Sequence, residues 1–242
     1  MSQHIASSPS EDIERVYSFW FGKITAYEHR VRIDGIKESM SVWFSAGKDP
    51  EQKKQLDSDI KEQYESLAIS GREMAKKLLT TIQDNSSTTF NEEVFAELTK
   101  SSEWFSSPKG MISLIILFDQ FSRNMYRGLA ESYSFDMYAL AISKRILSDR
   151  QLYNSFKTFE KIFLLLPLEH SENLMNQEQC IQEYELLVEE APEDLKGFFQ
   201  YFVKYARMHH DLIEKFGRFP FRNPILGRES TPEELESKIS FL

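Results

Sequence analysis

The hydrophobic pattern of the chain is strongest over residues 111–128, MISLIILFDQFSRNMYRG, which it predicts to be a helix. At about 100° per residue, the first two turns are apolar on all sides, and the following turns separate into two faces. One face carries Asp119, Arg123 and Arg127, and the other stays apolar. A helix that is apolar all round belongs in a protein interior, where charged side chains are rarely buried unless they are paired. The stretch therefore predicts a polar cluster within or beside the core.

Cap signals and helical spacing predict further helices on both sides of this stretch. They begin at Ser8-Pro9 and Asp49-Pro50, lie near 91–100, 134–147, 150–166, 172–190 and 193–216, and finish with one that begins at Thr231-Pro232. Gly22 and Gly128 are predicted to end their helices, and Pro167 is predicted to break or kink the helix over 150–166. Because no alternation of period two is found, we predict an all-α fold with about ten helices.

The predicted domain organisation is a disordered lead over residues 1–8, followed by a single domain over 9–242. With 242 residues the chain is long enough to bury a substantial core. Residues 84–89, DNSSTT, are predicted as an internal loop that is too short to separate domains. The pair Trp43-Phe44 is predicted to anchor its segment in the core.

Composition narrows the classes of protein. A net charge of −9 argues against electrostatic binding to nucleic acid or to anionic membranes. The apolar runs near 111–118 and 162–168 are far shorter than the roughly 20 residues that span a bilayer, and no export signal is recognised. Cys180 is the single cysteine, so no intrachain disulfide can form. We therefore predict a soluble, cytoplasmic protein that binds neither nucleic acid nor membrane.

An apolar stripe runs along the helix predicted over 193–216, with a histidine at its middle. Its members follow one another at spacings of three and four: Phe198, Phe202, Tyr205, His209, Leu212 and Phe216. The neighbouring His210 turns about 100° away, toward the polar edge. His209 is either a core histidine tied to a carbonyl or carboxylate, or a site residue, since histidine exchanges protons near neutral pH.

Polar residues also follow Pro167 in the segment LLPLEHSE, where Glu169, His170 and Glu172 stand close together. A proline inside a helix frees a carbonyl, and irregular backbone beside polar side chains can build a pocket. The alternative is a corner between two helices, in which Ser171 caps the second helix and Glu172 favours its N-terminus.

Three arginines alternate with aromatic and apolar residues in the segment 216–229, FGRFPFRNPILGRE. Its two prolines and two glycines predict an ordered, non-helical loop. The guanidinium groups of Arg218, Arg222 and Arg228 suit carboxylates and phosphates. The alternative is a structural loop whose arginines pair with helix C-termini or with carboxylates such as Asp119.

The sequence lacks the motifs of several kinds of chemistry. It has no H-E-x-x-H, no cysteine pair and no acidic EF-hand loop. It also has no glycine-rich phosphate loop, G-x-S-x-G elbow or Cys/His nucleophile pattern. A metal site would require His170, His209, Asp119 and Glu172 to converge in three dimensions. We therefore predict no metal and no cofactor.

Two strings in the sequence are long enough to be specific: DQFSRNMYRG at 119–128 and GRFPFRNPILGRESTPEE at 217–234. Shorter runs accompany them, including YSFWFG at 17–22 and LPLEHSE at 166–172. With these runs the chain resembles the domain of unknown function 924 group of small, mostly bacterial helical proteins, over nearly its whole length. The resemblance implies an all-helical fold similar to tetratricopeptide superhelices, and it implies no established activity.

The chain departs from the pattern of that group at two positions. The group usually has histidine where this chain has Phe221, and arginine where this chain has His210. The first difference removes a proton-exchanging group from the position beside Arg222. Residues 71–103 also look longer than is usual for the group.

From these segments we predict a pocket for a small anionic or polar ligand. The predicted catalytic residues are His170, His209, Asp119 and Glu172. The predicted ligand-binding residues are Arg123, Arg127, Arg218, Arg222, Asn223 and Arg228. The histidines would exchange protons, the acids would orient them or pair with arginine, and the arginines would hold carboxylate or phosphate oxygens. The alternative hypothesis is an interaction scaffold, a helical superhelix that takes a peptide or partner protein and whose polar cluster is structural.

Overall fold

The computed structural model describes residues 7–25, 33–44, 47–81 and 88–237, and these fold as an all-α protein. The α-helices are α1 (Pro9–Thr25), α2 (Ile33–Trp43), α3 (Pro50–Ala75), α4 (Glu92–Ser101), α5 (Glu103–Ser106), α6 (Pro108–Ile115), α7 (Ser122–Met125), α8 (Asp136–Ser148), α9 (Arg150–Asn154), α10 (Thr158–Glu169), α11 (Leu174–Glu190), α12 (Glu193–Phe216), α13 (Asn223–Leu226) and α14 (Pro232–Glu236). A π-helical segment covers Ile116–Phe121, and 3-10 turns cover Lys76–Leu78, Ala130–Tyr133 and Pro220–Arg222. The all-α prediction is confirmed, whereas the tetratricopeptide-like arrangement stays a prediction.

The chain divides into two compact units, Met1–Arg127 and Gly128–Leu242. The single domain predicted over 9–242 stays a prediction, and most of the predicted disordered lead lies outside the described residues. No helix in the described ranges combines the length and the apolar composition needed to cross a membrane.

Aromatic rings form the centre of the core of the first unit. The ring centroid of Phe121 lies 4.6 Å from that of Tyr64, 5.5 Å from that of Phe19 and 5.5 Å from that of Trp20. Tilted and edge-on ring pairs of this kind add to the free energy gained from burial alone. The aromatic-rich sequence of α1 is therefore joined to the stretch 111–128 through ring contacts.

The predicted Trp43-Phe44 anchor is half correct. Trp43 is buried, and its indole N–H donates a hydrogen bond of 2.8 Å to the carbonyl oxygen of Trp20. Phe44 has 41% of its surface exposed, because α2 ends at Trp43 and the chain leaves the helix there.

Helices begin where the cap signals predict. Asp49 accepts a hydrogen bond of 2.8 Å from the N–H of Gln52, whose side chain accepts one of 3.2 Å from the N–H of Asp49. Thr231 and Glu234 form the same reciprocal pair ahead of α14. Each pair satisfies N–H groups that the first helical turn leaves without backbone partners.

Neither Gly22 nor Pro167 ends its helix, so the predicted end at Gly22 and the predicted break at Pro167 are wrong. Helix α1 continues past Gly22 to Thr25, since one glycine costs a helix only about 1 kcal/mol and Ile24 gains burial. Helix α10 continues through Pro167 to Glu169. Proline removes its own N–H from the helix, but the next turn still closes, with the N–H of His170 donating to the carbonyl oxygen of Leu166 at 2.8 Å.

The helix predicted over 111–128 contains a π-helical segment, Ile116–Phe121, between α6 and α7. A π turn bonds each N–H five residues back and therefore rotates the following residues relative to a regular α-helix. The two faces were assigned by assuming a rotation of 100° per residue, and this assignment is valid only up to the start of the π-helical segment. The helix also ends at Met125, so the predicted cap at Gly128 is wrong; Gly128 has a φ of 80° in the turn beyond.

Two further segments differ from their predictions. Three-residue strands β1 (Leu79–Thr81) and β2 (Thr88–Phe90) pair antiparallel, with Leu79 opposite Phe90. Strands this short cannot show a period of two. Thr88 and Thr89 of the predicted loop lie in β2, and residues 84–87 lie outside the described residues. The segment 216–229, predicted to be non-helical, contains a 3-10 turn and α13, since Pro220 and Pro224 fit the first positions of such turns.

Helix α10 is the buried helix of the second unit, with every residue from Phe159 to Glu169 buried. Helices α8, α11 and α12 pack against it. Helices α11 and α12 are antiparallel neighbours because only Ala191 and Pro192 connect them, and Tyr184 stacks on Phe202 across the pair at 5.8 Å. The C-terminal end of α10 therefore places a carboxylate, that of Glu169, in a buried environment.

Candidate functional site: a histidine and carboxylate cluster in the second unit

The centre of the cluster is His209, which α12 places beside the buried Glu169 at the end of α10. The imidazole Nδ1 of His209 lies 3.2 Å from Oε1 of Glu169 and 2.9 Å from the backbone carbonyl oxygen of Tyr205. The Glu169 side chain is 4% exposed and that of His209 is 12% exposed. A carboxylate that is buried to this degree needs hydrogen-bonding partners, and His209 supplies one.

This geometry fixes the tautomer of the neutral His209 ring. A carbonyl oxygen has no hydrogen to donate, so Nδ1 must carry the hydrogen in its bond to Tyr205. The adjacent carboxylate of Glu169 favours the same assignment. Nε2 of the neutral ring then carries the lone pair and is the nitrogen that can take up a proton. Carboxylates orient ligating and catalytic histidines in this way.

A second histidine lies next to the first. His170 follows α10 directly, and its ring centroid is 6.3 Å from that of His209. Phe219 closes one side, with its ring edge-on to His209 at 5.4 Å. The neighbouring His210 instead lies 3.4 Å from the exposed carboxylate of Asp211. The prediction that the two adjacent histidines of α12 differ in environment is confirmed.

Arg228 joins the segment 217–231 to the end of α10 through Glu172. Its guanidinium donates to both carboxylate oxygens of Glu172, at 2.7 and 2.9 Å, and also to the oxygens of Asn223 and Phe219. Glu172 additionally accepts the N–H of Phe219 at 2.8 Å. Burial alone would raise the pKa of Glu172, but the hydrogen bonds from Arg228 and Phe219 lower it further, to below its ordinary value of 4.5.

Arg222 is buried beneath His170 and is held by aromatic rings. Its guanidinium carbon lies 4.7 Å from the ring centre of Tyr133 and 4.5 Å from that of Phe219. One nitrogen donates a hydrogen bond of 2.9 Å to the carbonyl oxygen of His170, and another lies 3.8 Å from a carboxylate oxygen of Asp136. The guanidinium therefore fixes the backbone that carries His170.

Arg218 is paired with Glu234 in two hydrogen bonds, of 2.7 and 2.9 Å. The same carboxylate accepts the N–H of Thr231 at 2.7 Å and the side-chain amide of Asn223 at 3.1 Å. Together, Arg218 and the Thr231 N–H lower the pKa of Glu234 from 4.5 to about 2. All three arginines of this segment thus have carboxylate or carbonyl partners within the second unit.

The other predicted site residues belong to the first unit. Asp57 accepts a hydrogen bond of 2.8 Å from Asn124 and two from Arg127, at 2.7 and 3.0 Å. Asp119 is fully buried within the π-helical segment, accepts a hydrogen bond of 2.6 Å from its neighbour Gln120, and lies 3.7 Å from Arg123. Polar contacts along this stretch thus form around Asp119 and around Asp57, which the sequence did not indicate, and a ligand site there stays a prediction.

The structure brings together, within the second unit, a large share of the predicted site: His170, Glu172, His209, Arg218, Arg222, Asn223 and Arg228. Sequence reasoning missed the roles of Glu169 and Glu234. Glu169 could have been found as the acid that directly follows the apolar run 162–168. Glu234 was recognised only as part of a capping box, since nothing in its spacing points to Arg218.

Within the described ranges, one group of side chains has the donor atoms for a metal ion: His210, Asp211 and Glu214, whose ligand atoms lie within 4.8 Å of one another. They project from α12 on a different face from His209, and both acids are exposed. Neighbouring exposed acids are ordinary on a helix surface, so the group by itself defines no site.

Fold and cluster together define an all-α protein with an oriented histidine in its second unit. Residues 16–237 match a family described as "bacterial protein of unknown function (DUF924)", and the chain belongs to that family. A solved structure of a protein of unknown function, ATU0120 from Agrobacterium tumefaciens, superposes with a TM-score of 0.56 at 23% sequence identity. It covers 83% of this chain and 94% of that one, which supports the shared fold. No curated protein matches the chain.

Proposed function

We propose that the protein binds a small polar or anionic ligand beside His170 and His209, and that His209 exchanges a proton with it. The observation that carries the proposal is the orientation of His209: Nδ1 bonds to the carbonyl oxygen of Tyr205 and lies 3.2 Å from Oε1 of Glu169, so Nε2 carries the lone pair of the neutral ring.

In this proposal Glu169 is a positioning residue. Its carboxylate holds the ring in one orientation and stabilises the imidazolium that forms when Nε2 takes up a proton. His170 lies close enough to contact the same ligand, with a ring centroid 6.3 Å from that of His209. Two imidazoles of this kind could share the roles of general acid and general base.

The contacts of the arginines support a different role from the predicted one. Arg218, Arg222 and Arg228 each bond to groups of the protein itself, and Glu172 is engaged by Arg228. We assign them to positioning His170 and the segment 217–231. The negative charge of an anionic ligand would then be met by a protonated imidazole.

A thermal-shift screen against carboxylated and phosphorylated metabolites tests the proposal. A ligand present at about 100 times its Kd stabilises a protein by about 2.7 kcal/mol. For a chain of this length, that corresponds to an increase in Tm of roughly 5–10 °C. We expect at least one metabolite class to give such an increase, and we expect His209→Gln to remove it. Glutamine can still donate a hydrogen bond to Glu169 but cannot exchange a proton.

His210→Gln is the matched control, because it changes the adjacent histidine of the same helix, outside the cluster. This variant should keep the full increase in Tm. An increase that persists in the double variant His170→Gln/His209→Gln would contradict the proposed ligand site.

A further inference from the structure

A groove of about 610 Å³ lies between α11 and α12, separate from the histidine cluster. Helix α11 contributes Glu185, Val188 and Glu189, and helix α12 contributes Gln200, Val203, Lys204, Arg207, Met208 and Asp211. We refer to these residues as the α11/α12 groove. Because His209 is directed toward Glu169 of α10, the groove occupies a different side of α12.

The spacing of the lining residues shows that the groove follows the helix axes. On α12 the lining positions run from 200 to 211 at alternating intervals of three and one, which is a single stripe. At 1.5 Å per residue this stripe is about 17 Å long, or about three helical turns. The α12 wall is long enough to contact about three turns of a third helix, and the α11 wall, over residues 185–189, contacts about one turn.

The lining of the groove is apolar between charged edges. Val188, Val203 and Met208 provide apolar surface, and Met208 keeps 38% of its area exposed. An exposed methionine between charged residues is typical of surfaces that bind partners with different apolar side chains.

The two walls of the groove differ in charge. Helix α11 presents the acids Glu185 and Glu189, whereas helix α12 presents the cations Lys204 and Arg207, with the acid Asp211 at the end of its stripe. Arg207 pairs with Glu185 across the groove, but both side chains are about half exposed, and such pairs stabilise little. Within the described residues, Glu189 and Lys204 form no ion pair, so their charges are available to an occupant.

We propose that the α11/α12 groove binds an amphipathic helix of a partner protein. The apolar stripe of that helix would contact Val188, Val203 and Met208. Lysine or arginine on one flank would face the acids of α11, and aspartate or glutamate on the other flank would face the cations of α12. Flanking charges select partners in this way in helical bundles. The proposal is independent of the histidine cluster.

The test uses three fluorescein-labelled, 14-residue helical peptides that share one leucine stripe. The first has one basic and one acidic flank, the second has two basic flanks, and the third has two acidic flanks. Fluorescence anisotropy with the full chain measures their affinities. We expect the first peptide to bind at least about tenfold more tightly than the other two, because it alone matches both walls.

Two variants locate the binding. Met208→Asp should weaken binding of the first peptide at least about tenfold, and Met137→Asp, at an exposed methionine of α8, should leave it unchanged. The double variant Lys204→Glu/Arg207→Glu makes both walls acidic and should transfer the preference to the peptide with two basic flanks. Circular dichroism confirms that each variant is folded.

Three results would overturn the proposal. The first is equal affinity for all three peptides, and the second is undiminished binding by Met208→Asp. The third is self-association of the chain, seen by sedimentation velocity and abolished by Met208→Asp, which would assign the groove to a second copy.

Discussion

At the scale of single residues, the arginines of the segment 217–231 use their planar guanidinium groups to donate several hydrogen bonds in fixed directions. Arg228 uses three nitrogens to reach Glu172, Asn223 and Phe219 at once. The planar guanidinium matches two carboxylate oxygens in a way that the single ammonium of lysine cannot. The chemistry of this segment therefore depends on arginine itself as well as on positive charge.

Arg228→Lys should lower the free energy of unfolding by about 2–3 kcal/mol, because lysine leaves part of Glu172 and the Phe219 carbonyl without partners. Arg207→Lys is the control, since its ion pair with Glu185 is exposed and should contribute less than about 1 kcal/mol. Urea denaturation measures both. An equal loss of unfolding free energy in the two variants would show that the paired hydrogen bonds from Arg228 to Glu172 do not stabilise the fold.

The carboxylates of the same segment predict a pH dependence with a defined sign. The pKa of Glu234 is lowered from 4.5 to about 2 in the folded protein, so the unfolded chain binds a proton at higher pH than the folded chain does. The stability that this carboxylate contributes is therefore complete above about pH 4.5 and is lost as the pH falls toward 2. Glu172, whose pKa is also lowered, acts in the same direction.

Glu234→Gln removes this ionisation and should flatten the pH dependence. We expect the variant to be clearly less stable than the parent chain at pH 6, and the difference between them to shrink at pH 3. Urea denaturation at the two pH values gives the comparison. A stability difference that is the same at both pH values would mean that the Arg218–Glu234 pair does not lower this pKa.

At the scale of elements, the junction of α5 and α6 leaves no room for a side chain. A Cβ atom at Gly110 would lie 2.6 Å from the carbonyl oxygen of Trp104 and 2.7 Å from that of Glu103. Backbone atoms cannot move aside as a flexible side chain can. The start of α6, which leads into the π-helical segment, is therefore fixed by this close approach.

Gly110→Ala should lower the free energy of unfolding by about 1–3 kcal/mol through this overlap. Gly197→Ala is the opposite case, because no atom beyond its chain neighbours and the adjacent backbone of α12 lies within 4 Å of its Cβ position. It should raise stability by about 0.5–1 kcal/mol, since alanine favours a helix over glycine. Thermal denaturation followed by circular dichroism checks both signs. Stabilisation by Gly110→Ala would contradict the packing of α5 on α6.

Helix starts were predictable from the sequence and irregular segments were not. Capping boxes at Asp49 and Thr231 are local, so the residues that form them are visible in the chain itself. The π-helical segment Ile116–Phe121 lies in a fully buried stretch, where packing and not local preference determines how many residues each turn holds. The predicted break at Pro167 was wrong for a related reason. The free energy gained by burying α10 on all sides outweighs the loss of one backbone hydrogen bond at the proline.

At the scale of the whole molecule, the excess of acidic residues explains why the arginines around the histidine cluster are paired with carboxylates. The chain has 38 acidic and 29 basic residues, so an arginine in a folded unit readily meets a carboxylate. The sequence indicated which polar residues are unusual, including His209 and Arg228. It did not indicate their pairing, because Glu169 and Glu234 reach their partners only through the packing of α10, α12 and α14.

Glu169 and Tyr205 hold His209 with its hydrogen on Nδ1, and the proposed function depends on this tautomer. Two-bond ¹H–¹⁵N correlation spectra of ¹⁵N-histidine-labelled protein measure this directly, with His209→Gln providing the assignment. We expect the neutral His209 ring to be protonated at Nδ1 and to have an unprotonated Nε2. A ring with its hydrogen on Nε2 in the unmodified chain would contradict the account.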